Sequence, residues 1–61
     1  MVFKIEYLRD GTILAAIEFS GNPEGARGAA ALGICRYQAK AARILAANGD
    51  LIALVEAKQD A

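Results

Sequence analysis

The chain of 61 residues contains a single cysteine, Cys35, and no histidine. An internal disulfide is therefore impossible, and a zinc site lacks its usual thiolate and imidazole ligands. At about 60 residues, folding hides only roughly 60% of the surface that the unfolded chain exposes, so a domain of this size has little stability to spare. Oligomerisation is the remaining way to stabilise such a short chain, and we expect it here, without a cofactor or metal.

The composition is apolar and electrically balanced, with 56% hydrophobic residues and seven basic side chains against seven acidic ones. This pattern is the opposite of that of disordered chains. The longest stretch without a charge runs from Gly28 to Cys35, which is too short to span a membrane. Charged residues also interrupt the first 20 positions, where a secretory signal needs an apolar stretch. We therefore expect one small domain over residues 1–61, located in the cytoplasm and away from membranes.

The first third of the chain alternates apolar and other side chains on both sides of Asp10-Gly11, which predicts a β-hairpin over Val2–Glu18. A two-residue loop would place Phe3 opposite Glu18 and so mix the two faces of the hairpin. We therefore predict a three-residue loop with Gly11 in the left-handed conformation. The pairs that this loop predicts are Leu8 with Thr12, Tyr7 with Ile13, Ile5 with Ala15 and Phe3 with Ile17.

A helix is predicted to begin at Pro23 and to end near Tyr37 or Gln38. Asn22 is a favourable N-cap, proline is tolerated at the first helical position, and Glu24 lies near the positive end of the helix dipole. At 100° per residue, one stripe of mostly small residues is expected to face the sheet. The stripe consists of Ala26, Ala30, Gly33, Ile34, Tyr37 and Ala41.

The last third predicts a second hairpin, because Asn48-Gly49 is a strong turn signal and Leu51–Val55 is rich in strand-forming residues. The same three-residue loop would pair Ile44 with Ile52 and Ala42 with Leu54. The predicted fold class is α+β with the order ββαββ: two hairpins in one antiparallel sheet, with one helix on one face. The alternative is ββαβ, with the helix extending to Ala47.

The hairpin turn at Asp10-Gly11, the helix start Pro23-Glu24-Gly25-Ala26-Arg27 and the turn at Asn48-Gly49 occur together in this order. In this respect the chain resembles a group of short bacterial proteins of about this length that have no established activity. The resemblance implies the ββαββ order and assigns no functional residue.

Few residues of the chain are suited to catalysis. General acid–base catalysis at neutral pH uses histidine or a carboxylate with a shifted pKa, and the carboxylates here are scattered. Glu6 and Glu18 are interpreted as solvated strand residues and Asp10 as a turn former. Cys35 lies in the middle of the helix with no base available, so we interpret it as a small apolar filler. We expect no enzymatic activity.

The chain has more apolar residues than one helix packed on one face of the sheet can bury. Contiguous apolar surface that stays exposed usually marks an interface. We assign Phe3, Ile5, Tyr7, Ile13 and Ile17 to the covered face, and Val2, Leu8, Leu14 and Ala16 to the other. In the second hairpin, Leu45, Leu51, Ala53 and Val55 lie on this other face, opposite to Ile44, Ile52 and Leu54. A second apolar stripe, Gly28, Leu32, Cys35 and Ala39, lies on the helix side away from the sheet. The chain is predicted to be a self-associating module, a homodimer or a partner for another protein. The candidate interface residues are Val2, Leu8, Leu14, Leu32, Cys35, Leu45, Leu51 and Val55.

An alternative function is suggested by the basic residues between Gly25 and Gly49, a segment that contains no acidic residue. In this interpretation a ribbon dimer presents its basic side chains to a nucleic-acid backbone. The overall neutral charge makes it the less favoured of the two functions. The basic residues of the segment are Arg27, Arg36, Lys40 and Arg43. The side chains that the ribbon dimer would present are Lys4, Arg9, Lys40 and Arg43.

Overall fold

The structure, a computed structural model, describes residues 1–57 and confirms the α+β ββαββ fold. Four strands form one antiparallel sheet in the order β2-β1-β3-β4, and the helix connects β2 to β3. The alternative of a helix reaching Ala47 is wrong, because a strand begins at Ala41. The elements are β1 (Val2–Arg9), β2 (Thr12–Ser20), α1 (Pro23–Tyr37), β3 (Ala41–Ala46) and β4 (Leu51–Glu56).

The first hairpin turns through two residues, so the three-residue loop predicted from the sequence is wrong. Arg9 pairs with Thr12, and both loop residues have positive φ, 52° at Asp10 and 78° at Gly11, as in a type I′ turn. Leu14 is then left unpaired as a bulge. The bulge shifts the register by one residue and returns the apolar residues of β2 to the same face as those of β1. The resulting pairs are Tyr7 with Ala15, Ile5 with Ile17 and Phe3 with Phe19.

The second hairpin has the predicted three-residue loop but not the predicted register beyond it. The Ala46 amide donates to the Asp50 carbonyl at 2.8 Å, and Gly49 has a φ of 95°. Leu45 pairs with Leu51 as the loop requires. Ile52 then forms a second bulge, which moves every later pair by one residue. Ile44 consequently pairs with Ala53 instead of Ile52, and Ala42 with Val55 instead of Leu54.

The helix begins and ends at residues that cap it. The Asn22 side chain accepts a hydrogen bond from the Gly25 amide at 2.7 Å, and Pro23 occupies the first turn, as predicted. At the other end, Gln38 adopts the left-handed conformation with a φ of 55°. The amide of Ala39 donates to the carbonyl of Ile34 at 2.9 Å, which satisfies a carbonyl of the last turn. Only Gln38, Ala39 and Lys40 connect the end of the helix to β3.

The core lies between α1 and one face of the sheet. Tyr7, Phe3, Ile5 and Ile44 are the largest fully buried side chains. The helix contributes small residues, so that it lies close to the sheet. Of the six residues of the predicted helix stripe, four are buried, and Tyr37 is 38% exposed with its ring centroid 5.0 Å from that of Tyr7. The prediction of Ala41 is wrong, because this residue begins β3. The four buried members are Ala26, Ala30, Gly33 and Ile34.

Within residues 1–57, no helix combines the length and the apolar character needed to cross a membrane.

Candidate functional site

The sheet face opposite the helix, which we call the open face, has no covering element in residues 1–57. Directly paired residues of neighbouring strands lie on the same face of a sheet, so the register assigns its members. A central row consists of one residue from each strand and crosses all four strands. The row is Ala16, Glu6, Arg43 and Leu54, in the order β2-β1-β3-β4.

Apolar side chains lie on both sides of this row. Next to it towards one end are Leu45 and Leu51, and towards the other are Leu8 and Ile13. Leu51 is 58% exposed and Ile13 49%, and Leu54 of the central row is 55% exposed. Leu8 and Leu45 are half-buried. Val2, at the end of β1, is 45% exposed. An apolar surface of this extent is typical of a contact with another molecule.

An ion pair occupies the centre of the open face. The Arg43 Nη2 donates to Glu6 Oε1 at 2.7 Å, and Lys4 Nζ lies 3.6 Å from Glu6 Oε2. Glu6 is only 8% exposed, although no helix covers this face. The interpretation of Glu6 as a solvated strand residue is therefore wrong, because the basic side chains on the neighbouring positions cover its carboxylate. Glu18 is exposed as expected.

The guanidinium of Arg43 has more donors than this pair uses. Arginine carries five N–H donors, and the contact with Glu6 engages the Nη2 group. The Nε atom is buried and has no hydrogen-bond acceptor among residues 1–57. The side chain as a whole is 41% exposed. A further acceptor placed over the open face can therefore approach the exposed part of this side chain but not its buried Nε atom.

The structure distributes the predicted interface residues over three surfaces. Val2, Leu8, Leu45 and Leu51 lie on the open face. Leu14 and Val55 instead pack against the core, so their assignment to the open face is wrong. In β2 the error comes from the turn, because a loop of two residues instead of three exchanges the faces of Ile13 and Leu14. In β4 it comes from the bulge at Ile52, which exchanges the faces of the residues after it. The same two changes bring Ile13 and Leu54 to the open face, although the sequence pattern predicts both on the core side.

The outer side of the helix carries less apolar surface than predicted. Leu32 is 76% exposed and Cys35 is an exposed free thiol. Ala39 follows the helix and is buried in the core, so it does not belong to the stripe. Leu32 is thus the one large apolar side chain of the predicted stripe that is exposed.

Two shallow grooves lie at the margins of the sheet. One of about 510 Å³ is bounded by the ends of β1 and β2 and by the β3–β4 loop, with Val2, Lys4 and Leu45 in its wall. The other, of about 580 Å³, lies between the second half of α1 and β4, next to Cys35 and Val55. In the described part of the chain, no group of three Asp, Glu or Cys side chains is arranged to hold a metal ion.

Each basic side chain assigned to nucleic-acid contact lies against an acceptor. Besides Lys4 and Arg43 at Glu6, Lys40 Nζ is 3.1 Å from Asp10 Oδ1, and Arg9 Nη1 donates to the Gln38 carbonyl at 3.4 Å. Lys4, Lys40 and Arg43 are therefore engaged with carboxylates within the chain, whereas Arg9 contacts a neutral carbonyl.

We compared the chain with the known protein families, with curated proteins and with solved structures, and none of the three comparisons found a match.

Proposed function

We propose that the protein is a small, non-catalytic interaction module that self-associates through the open face, and that the molecule which covers this face is a second copy of the chain. The observation that carries the proposal is the pattern of the face: exposed leucines and isoleucine around the central Lys4, Glu6 and Arg43. Burial of the leucines supplies a driving force, at roughly 25 cal/mol for each Å² removed from water.

The charges of the open face favour a second copy over an unrelated partner. The face carries two basic side chains, Lys4 and Arg43, together with the acidic Glu6, Glu18 and Glu56. A surface with both signs in fixed positions can complement itself, as an isologous dimer interface must. A strongly charged partner would instead meet like charges on part of this face.

The size of a stable contact also favours the open face over the helix. A standard interface removes about 800 Å² from each partner, which is about a fifth of the 4284 Å² of accessible surface of this chain. A contact of that size requires a whole face of such a small molecule. The outer side of the helix offers Leu32 among small and polar neighbours, and it is the poorer candidate.

The pairing of Lys4, Lys40 and Arg43 with carboxylates within the chain favours protein interaction over the nucleic-acid-binding ribbon. Phosphate binding depends on cations that are available to release counterions, and its affinity falls steeply with salt. We expect no salt-dependent binding to duplex DNA or RNA. The proposal includes a cytoplasmic location, which the exposed free thiol of Cys35 supports because reducing compartments preserve such thiols.

Sedimentation at micromolar concentrations tests the proposal with two matched variants. The wild-type chain is expected near twice its 6.4 kDa mass. Leu54→Glu places a charge within the proposed contact and is expected to give a monomer. Leu32→Glu is the control, since Leu32 is also an exposed leucine (76%, against 55% for Leu54) but lies on the helix. A wild-type monomer, or dissociation by Leu32→Glu alone, would contradict the proposal.

A further inference from the structure

We infer that two copies pack open face to open face about a two-fold axis that runs along the strands between β1 and β3, with Glu6 of each protomer opposite Arg43 of the other. This arrangement rests on the self-association proposed above and specifies its geometry.

The central row of the open face distinguishes the possible axes. The row crosses the sheet as Ala16, Glu6, Arg43 and Leu54, with Glu6 and Arg43 on the two middle strands. Two sheets packed face to face lie about 10 Å apart with their strands roughly aligned, so each row lies over a row of the other sheet. The two-fold axis then lies in the plane between them, either along the strands or across them.

An axis along the strands exchanges the strands and keeps the level of each residue. Glu6 then faces Arg43 of the second copy, and the small Ala16 faces the large Leu54. Opposite charges meet at the centre, and a small side chain meets a large one at the edges. Because the central pair lies beside the axis, the usual rotation of about 30° between packed sheets displaces it least.

An axis across the strands keeps each strand over itself. When this axis passes through the central row, Glu6 faces Glu6 and Arg43 faces Arg43 at the centre of the contact. Like charges brought together in an interface are strongly unfavourable, and such juxtapositions are what exclude wrong arrangements. The charges of the central row therefore select the first axis.

The hydrogen-bonding state of the isolated chain agrees with this selection. The Arg43 side chain is 41% exposed although it contacts Glu6, so part of it remains accessible to a second copy over the open face. A carboxylate accepts several hydrogen bonds at once, so Glu6 can accept from the Arg43 of both copies. The central charges thereby keep their partners when water leaves the contact.

A charge-swapped chain tests the inference and is designed to keep the pair within each chain. The variant carries Glu6→Arg together with Arg43→Glu, and circular dichroism checks its fold. Copies of the variant are expected to pair with each other as the wild type does. In a mixed dimer, however, Glu6 of the wild type faces the introduced carboxylate at position 43, and Arg43 faces the introduced guanidinium at position 6.

Equal amounts of wild-type and swapped chains with different tags are mixed, and the mixed dimers are counted by native mass spectrometry. Random pairing makes roughly half of the dimers mixed. We expect the mixed fraction to fall below about a tenth of all dimers, because both central contacts become like-charged. A wild-type dimer that mixes freely with the swapped chain would overturn the geometry but leave the proposed function standing. A wild-type chain that stays monomeric would overturn the proposed function itself.

If the swapped chain fails to fold or to associate, cross-linking distinguishes the axis along the strands from the axis across them. Ala16→Cys and Leu54→Cys are prepared separately in a Cys35→Ser background, since both positions are exposed. With a short bis-maleimide, a mixture of the two chains is expected to give several-fold more cross-linked product than either chain alone. The axis across the strands predicts the reverse, because it places each cysteine over its own copy, and that result would overturn the inference.

Discussion

The ring of Tyr7 occupies the space beside the α-carbon of Gly33 where a Cβ atom would lie. Tyr7 is 1% exposed, and its hydroxyl donates to the carbonyl of Ala29 on the same helix at 3.1 Å. This close approach of β1 to α1 depends on the absence of a side chain at position 33. It explains why the middle of a helix contains a glycine there.

Gly33→Ala is expected to destabilise the protein even though alanine is the better helix former. Forcing extra volume into a packed core costs about 1–3 kcal/mol, which outweighs the propensity gain of about 1 kcal/mol. Gly28→Ala is the matched control, because a Cβ there meets no atom within 4 Å, and its propensity gain should raise the stability. Urea denaturation of both variants measures the difference in stability. Equal stabilisation by the two would contradict the claim that the Tyr7 ring leaves no room for a side chain at position 33.

The stability is expected to fall above pH 10 through Tyr7. Burial raises the pKa of this phenol above its usual value of 10.0, with a smaller contribution from Tyr37. At a pH between 10.0 and the raised pKa, Tyr7 is deprotonated in the unfolded chain but still protonated in the folded chain. Unfolding therefore becomes more favourable as the pH rises through this range. Thermal unfolding from pH 8 to 11.5 measures the effect. Tyr7→Phe should have a shallower decline than the wild type, and parallel curves would contradict the assignment.

The two-residue loop of the first hairpin is expected to depend on Gly11. Its φ of 78° is accessible to glycine at no steric cost, whereas alanine is strained there. Gly11→Ala should therefore destabilise the protein by roughly 1 kcal/mol or more. Asp10→Asn is the control, since Asn-Gly suits a type I′ turn at least as well, and its urea midpoint should stay near that of the wild type. An unchanged urea midpoint for Gly11→Ala would contradict the two-residue loop with a positive φ at Gly11.

Removal of Arg43 is expected to cost far more than removal of Lys40. Loss of Arg43 leaves the nearly buried Glu6 carboxylate with Lys4 at 3.6 Å as its remaining cation, and breaking a buried pair costs up to about 3–5 kcal/mol. Since Arg43 is partly exposed, we expect about 2 kcal/mol. The exposed pair of Lys40 with Asp10 should contribute no more than about 1 kcal/mol. Both alanine variants are compared by urea denaturation at one protein concentration, and equal losses would contradict this ranking.

The sequence predicted the element order and the helix boundaries correctly because their signals are local. Asn22 and Pro23 fix the start of α1, and Asp10-Gly11 and Asn48-Gly49 fix the turns. The strand register was predicted only in part. An alternating pattern gives the parity of a strand, and Phe3, Ile5 and Tyr7 were accordingly placed on the covered face, where the structure has them.

The two bulges could not be predicted from the pattern. Leu14 and Ile52 are apolar residues within apolar strands, so nothing in their identity marks them as unpaired. The length of the first turn changes the faces of Ile13 and Leu14, and the bulge at Ile52 changes those of Leu54 and Val55. The contact of Arg43 with Glu6 could not be predicted either. It depends on the β1–β3 register, and the two residues are 37 positions apart, so no local sequence signal indicates that they pair.

Methyl NMR of the wild-type chain on dilution tests the central claim, self-association through the open face, most directly. The chain has six leucines, four on the open face and two elsewhere, so they report on the surfaces separately. Dilution from millimolar to low micromolar concentration is expected to shift the methyl resonances of Leu8, Leu45, Leu51 and Leu54, and to leave Leu14 and Leu32 in place. Resonances that do not change with concentration, or changes confined to Leu32, would contradict the account.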